Sequence, residues 1–342
     1  MKIVHFECGL GNQLACFANY LLVNGFSDDV YIENLVYQID RKGMGFDQWN
    51  GFELENIFGL KFDNILDVVS DKESLIRSMA DEYYKNEGQN NSLSALKALK
   101  SCGIEVEPAG VFQQESDSDP LPIKIKHALR NRVVYSSNTC LSYKLKKTAF
   151  KVLRRTRRYN SPEYYIKDGD YFYPLSFDVM KDIRLLEPVE SRLREALRFP
   201  AISGEQNIRL SETIDSSESV SIHARRSDFL QYNNDCYKYG YFKRAVEYIR
   251  KHVENPAFFI FSDDSRWCKT HLAELGLDKD DKVSIVDWNT GDKSYIDMQL
   301  MSMCKHNIIT KSSFGWWAAF LNTNPDKIII SQVSEYYSKV YL

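Results

Sequence analysis

The sequence predicts an α/β protein of two domains, and two patterns predict it. The chain opens as strand, glycine turn, helix and strand, and after residue 203 five apolar strands alternate with four helices over about 130 residues. With 342 residues, 44% apolar and 27% charged, it is long enough for two cores and too apolar to be disordered. The expected domains are residues 1–200 and 201–342, with a cleft between them.

Lys2 to Phe6 reads as a buried strand, and the turn Gly9-Leu10-Gly11-Asn12 leads into a helix with Leu14, Phe17, Ala18, Leu21 and Leu22 on its apolar positions. Val30 to Ile32 is the second strand. Open α/β sheets place ligands at the carboxyl ends of their strands, which draws attention to the turn after the first one. Up to residue 200 the pattern is less regular, and Gly88 to Ser92 and Glu115 to Pro120 read as surface loops.

An acidic, serine-rich linker, Ser211 to Glu218, is expected before a strand that ends at Ile222-His223. Phe242, Ala245, Val246, Ile249 and Val253 then mark one buried helical face. Ala257 to Phe261 is a strand, and one aspartate of the pair Asp263-Asp264 caps a helix through Trp267 and Leu272. A strand from Val283 to Val286 and a helix from Ser294 to Cys304 follow. The series closes with a strand from Asn307 to Thr310, a helix through Trp316 and Leu321, and a strand from Lys327 to Ile330. Such alternation implies a parallel sheet covered on both faces.

The net charge of −3 splits into +12 on Lys124 to Arg158, where no acid occurs, and −15 on the remainder. Such a block is a solvated face or a surface for phosphates, nucleic acid or anionic lipid. Within it Lys144 to Arg158 is expected to rest on an anionic membrane surface, with a solvated helix as the alternative. A nucleic-acid binder acting through residues 124–158 is the non-enzyme reading. It leaves the arginine pair described below without explanation, so no nucleic-acid partner is expected.

No stretch reaches the roughly 18 apolar residues of a membrane span, and Glu7 comes too early for a signal peptide. A cytoplasmic protein is expected, peripheral to the inner face of the membrane if the basic stretch binds lipid. The seven cysteines form no C-x-x-C pair and no metal-ligand rhythm, and read as reduced thiols packed in cores.

The most informative run is Ser221-Ile222-His223-Ala224-Arg225-Arg226-Ser227-Asp228, which sets two arginines and an acid beyond the end of a buried strand. Guanidiniums bind phosphate oxygens in pairs and keep their charge, so this pair suits a pyrophosphate, a salt-bridge network with Asp228 being the alternative. Lys311-Ser312-Ser313-Phe314 offers hydroxyls and backbone N–H groups at a helix start, or simply an N-cap serine. Trp316 and Trp317 read as helix packing. Asp263 and Asp264 are adjacent rather than spaced by one residue, so capping is expected there and a metal is not. The turn at Gly9 lacks the third glycine of a dinucleotide fingerprint, which disfavours a nicotinamide enzyme.

In order, Gly9-Leu10-Gly11-Asn12-Gln13, His223-Ala224-Arg225-Arg226-Ser227-Asp228, Phe261-Ser262-Asp263-Asp264 with Trp267, and Asp297 to Ser302 through Ser312 to Trp317 resemble glycosyltransferase family 11. These are the inverting α1,2-fucosyltransferases; the α1,6- and protein O-fucosyltransferases are more distantly similar. The resemblance implies a GT-B fold, two Rossmann-like domains facing across a cleft. It implies GDP-fucose on the C-terminal domain, a galactose-containing oligosaccharide acceptor on the N-terminal one, and neither metal nor cofactor. By it, Arg225 would contact the β-phosphate, His223 and Asp297 the guanosine end, and Ser312, Ser313 and Phe314 the phosphates. Asn12 would reach across the cleft, and Gly11, Arg226 and Asp263 join the substrate-binding set. Ser227, Lys311, Gly315 and Ala15 depart from the family pattern, which bears on acceptor choice.

Inverting transfer needs the leaving GDP stabilised as the anomeric carbon becomes cationic, which arginines can do electrostatically without a metal. Asp228 is the expected base for the acceptor hydroxyl, with Asp235, Glu7 or the departing phosphate as alternatives. A transferase of the same fold with another donor or linkage is the nearest rival reading.

Overall fold

The computed structural model describes residues 1–40, 49–109, 166–227, 229–230, 235–332, 337–338 and 340–341. They divide into two compact units, the first holding the described residues up to Pro200 and the second those from Ala201 onward. Each unit is α/β and built on a wholly parallel sheet.

In the first unit β1 (Lys2–His5) is buried along its whole length and pairs with β2 (Val30–Glu33). Two strands that the sequence did not announce complete the sheet, β3 (Glu107–Pro108) and β4 (Tyr171–Tyr173), in the order β2-β1-β4-β3. Helix α1 (Leu10–Asn24) buries Leu14, Phe17, Ala18, Leu21 and Leu22, as its spacing predicts. Helices α2 (Lys72–Lys85) and α3 (Asn91–Ser101) pack on each other, and Met79, Tyr83, Ala95 and Leu99 join Ile3 and Phe172 in one core.

The expected loop at Gly88 to Ser92 is a loop only in part. Asn90 accepts from Leu93 N at 3.0 Å as an N-cap, so Asn91 and Ser92 form the first turn of α3.

The second unit has six strands in the order β10-β9-β8-β5-β6-β7. They are β5 (Glu218–His223), β6 (Pro256–Phe261), β7 (Lys282–Val286), β8 (His306–Ile309), β9 (Ile329–Ser331) and β10 (Val340–Tyr341), the last unforeseen. The expected linker at Ser211 to Glu218 is instead the end of helix α4 (Glu205–Asp215) and the start of β5. Its hydroxyls fold back onto helix carbonyls, Ser211 Oγ to Ile208 O at 2.7 Å and Thr213 Oγ1 to Arg209 O at 2.9 Å. Leu210 and Ile214 supply the buried stripe.

The two faces of β5 differ. Val220 and Ile222 pack with Phe242, Val246 and Ile249 of helix α5 (Tyr241–His252). Ser219 and Ser221 face the other way by the strand's period of two. There Ser221 Oγ accepts from Asn307 Nδ2 and Asn307 Oδ1 accepts from Asn322 Nδ2, both at 2.8 Å. Helix α6 (Ser265–Thr270) follows β6. Helices α7 (Tyr295–Met303) and α8 (Ser313–Leu321) pack side by side, and α4 lies against α7. Trp317 is fully buried and Trp316 nearly so, consistent with packing.

Cys16, Cys236, Cys268 and Cys304 are buried free thiols. Among the described residues no helix is long and apolar enough to cross a membrane. The basic segment Lys124 to Arg158, with the expected membrane stretch Lys144 to Arg158, and the loop Glu115 to Pro120 lie outside the described residues.

Candidate functional site

The carboxyl edge of the second sheet gathers the charged residues. Ala224 N donates to Phe261 O at 2.9 Å, so the chain leaves β5 alongside β6 and brings Arg225 and Arg226 over Asp263 and Asp264. Arg225 Nη1 pairs with Asp263 Oδ2 at 3.1 Å. Arg226 N donates to Asp263 Oδ1 at 2.7 Å, and Arg226 Nε donates to Asp264 Oδ2 at 3.1 Å. Asp264 Oδ1 caps α6 by accepting from Trp267 N at 3.0 Å, the capping role its position predicts.

The twin arginines have different surroundings. The Arg226 guanidinium lies 3.5 Å from the Trp267 ring centre and 4.7 Å from that of Tyr237, and its side chain is 11% exposed. It is stacked and matched, a positioning group for the turn. Tyr237 OH donates to Arg225 O at 2.8 Å and locks the backbone between them. The Arg225 side chain is 26% exposed. Of the two it is the one held by an acid while still reaching the surface.

His223 ends β5 beneath the start of α8. Its ring centre is 5.7 Å from that of Phe314, and a Cβ at Gly315 would sit 2.5 Å from His223 Nδ1. Glycine at 315 is what lets the helix start come this close to the ring. The imidazole is 5% exposed, and burial together with the Arg225 charge pushes its pKa down to about 3. His223 is therefore neutral throughout the physiological range. Ser312 stands at the N-cap of α8, yet its side chain makes no capping hydrogen bond, so the expected N-cap serine is one by position only. Ser313 and Phe314 form the first turn. Backbone N–H groups at a helix start favour an anion.

Asp297, in the first turn of α7, accepts from Asn289 Nδ2 at 2.8 Å, and burial raises its pKa to about 7. Asp228 lies outside the described residues, and Asp235 opens the short helix Asp235–Lys238.

Gly11 and Asn12 belong to the first unit, in the first turn of α1. Gly11 is buried and Asn12 partly exposed. Gln13 fastens this turn through Cys8 O at 2.9 Å, Gly51 O at 2.8 Å and Glu53 N at 2.8 Å. Beside it a buried chain of charges runs from Glu33 to His5 Nδ1 and from His5 Nε2 to Glu7 Oε1 at 3.7 Å. Glu7 also accepts from Asn91 Nδ2 at 2.7 Å and Ser92 Oγ at 3.2 Å. Burial opposes ionisation of both, but the partners prevail: His5 is raised to about 10 and Glu7 lowered. Glu7 is thus held as a carboxylate by three neighbouring groups, His5, Asn91 and Ser92, which weakens it as a base.

The structure therefore joins His223, Arg225, Arg226, Asp263 and Phe314 at one edge. Sequence reasoning missed Tyr237, Asn207, Trp288 and Asn289. Trp288-Asn289 follows the end of β7, so the rule that found Arg225, polar residues at a strand's carboxyl end, applies to it as well.

A parallel sheet whose carboxyl edge carries paired arginines beside a helix start has the chemistry of an anion site. Residues 158–340 match the model of glycosyl transferase family 11. This is more than half of the chain, which belongs to that family.

Among relatives, the chain is 37% identical over 117 residues to an α-1,2-colitosyltransferase of Escherichia coli, 33% of this chain and 39% of that one. It is 30% identical over 170 residues to a galactoside α-(1,2)-fucosyltransferase of Gorilla gorilla gorilla, 46% of this chain and 45% of that one. The matched stretch spans less than half the length of each of these two relatives. A solved fucosyltransferase, NodZ from Bradyrhizobium, aligns at TM-score 0.43 and 13% identity over 94% of this chain and 92% of its own, too loosely to place residues.

Proposed function

We propose that the protein is an inverting transferase that moves L-fucose from GDP-fucose to the 2-hydroxyl of a galactoside within an oligosaccharide. The observation that carries the reading is the Arg225–Asp263 pair at 3.1 Å, set at the carboxyl edge of the sheet that lies within the family match. Family membership supports sugar transfer, and the names of the two relatives support a 1,2 linkage.

In this reading Arg225, oriented by Asp263, meets the β-phosphate as the glycosidic bond breaks and charge gathers on GDP. The start of α8, Ser312 to Phe314, adds backbone donors to the same diphosphate. His223 remains neutral beside it, and Asp297 receives the guanine. Both acids of the Asp263-Asp264 pair are matched by arginines, which supports a donor site that works without a divalent metal. Asn12 and Gly11 serve the acceptor side, and Asp228 takes the acceptor proton.

The colitosyltransferase relative favours one second reading, the same transfer from GDP-colitose. The test is to incubate the protein with each donor and a glycan array, then read the new linkage by NMR. An α1,2-fucosyl galactoside is expected. A different linkage, or transfer from GDP-colitose alone, overturns the specific reading.

A further inference from the structure

Apart from the arginine cluster, the second unit holds two interlocked side-chain amides. Asn207 on α4 is 5% exposed and Asn289 lies in the loop after β7. Asn207 Nδ2 donates to Asn289 Oδ1 at 2.9 Å, and Asn289 Nδ2 donates back to Asn207 Oδ1 at 3.0 Å. Asn207 is saturated, because its Nδ2 also donates to Ser203 O at 3.0 Å and its Oδ1 also accepts from Trp288 Nε1 at 2.6 Å. Both amides are thereby fixed in orientation, since turning either one over would set donor against donor.

The remaining proton of Asn289 Nδ2 goes to Asp297 Oδ1 at 2.8 Å. Among the described residues no donor meets Asp297 Oδ2. A partly exposed carboxyl held by one oxygen leaves the other to accept from a ligand with N–H donors.

We infer that Asn207 and Asn289 form a base-reading clamp: they fix Asp297 by Oδ1 so that Oδ2 receives the N1–H and N2–H donors of guanine, which sets the preference for guanosine diphosphate. The inference rests on the guanosine diphosphate donor proposed above and adds the two residues that orient its reader. Neither asparagine touches the nucleotide, so both are positioning residues. Adenine presents an acceptor at N1, and inosine lacks the 2-amino group, so the two nucleotides remove the matching donors in turn.

The test is calorimetric titration of GDP, IDP and ADP into the wild type, Asn289→Ala, Asp297→Ala and the double variant. The wild type is expected to bind GDP about tenfold more tightly than IDP, and ADP least. Asn289→Ala should lose about tenfold in GDP affinity, bring GDP and IDP to near equality, and cause no further loss in the Asp297→Ala background. A wild type that binds ADP as tightly as GDP contradicts the donor reading itself. A wild type that prefers GDP, with the preference unchanged in Asn289→Ala or with losses that add in the double variant, overturns the clamp alone. Trp288→Phe keeps an aromatic ring but removes a donor to Asn207, so it decides the matter if Asn289→Ala does not fold. It should narrow the GDP to IDP ratio in the same direction, and an unchanged ratio counts against the clamp.

Discussion

At the scale of single residues, adjacent arginines do different work because their neighbours differ. Lysine at 225 keeps the charge but loses the planar fork, so Arg225→Lys should lower turnover about 10- to 100-fold with the fold intact. Arg226→Lys should lose its stacking on Trp267 and cost about 1–2 kcal/mol of stability, with a smaller effect on turnover. Steady-state kinetics and urea unfolding on both variants separate the two; similar profiles would contradict the division of labour. Sequence order made the arginine pair legible but not its partners, because Asp263 and Asp264 lie 37 and 38 residues further along the chain and only the pairing of β5 with β6 brings them close. Asp297 yields a pH prediction. Donors on a bound base stabilise its carboxylate, and burial has raised its pKa to about 7, so binding should weaken as pH falls below 7, approaching tenfold per unit. GDP-fucose is the ligand to titrate between pH 5.5 and 8, because the terminal phosphate of GDP itself ionises near 6. His223, with a pKa of about 3, adds no slope in that range, and constant affinity would remove Asp297 from the site.

At the scale of elements, five of the six strands of the second sheet were legible from short runs rich in apolar residues, while β10, with two residues, was not. The first unit was less legible. β3 and β4 have two and three residues, too short for a period to register, and their pairing joins distant parts of the chain. The misread linker shows a different limit: serines and acids resemble a loop in composition, while Asn207, Leu210 and Ile214 place a buried stripe on the same residues. The polar ladder under α7 and α8 was equally invisible, since Ser221, Asn307 and Asn322 are ordinary polar residues until β5, β8 and the end of α8 meet. Asn307 also donates to Met301 O at 2.8 Å, so Asn307→Ala leaves several buried groups unpaired. It should cost about 2–3 kcal/mol, read as a fall in the urea midpoint, and a loss below about 0.5 kcal/mol would show that the ladder is not what ties the helices to the sheet.

At the scale of the whole molecule, each unit carries its candidate residues at the carboxyl end of a central strand, Gly11 and Asn12 just after β1 and Arg225 just after β5. One architectural rule thus accounts for the candidate residues of each unit, and it was available from the sequence because both strand ends are followed by residues that packing does not require. The acids beyond β6 are where a metal-dependent reading and an arginine-dependent one part. Asp263 and Asp264 are matched by Arg225 and Arg226, so the account centres on cationic side chains, with no divalent ion, stabilising the departing diphosphate. The most direct measurement is turnover of GDP-fucose with a galactoside acceptor after exhaustive dialysis against EDTA. The account predicts an undiminished rate that added manganese does not raise; a rate lost on dialysis and restored by manganese would contradict it and make Asp263 and Asp264 metal ligands.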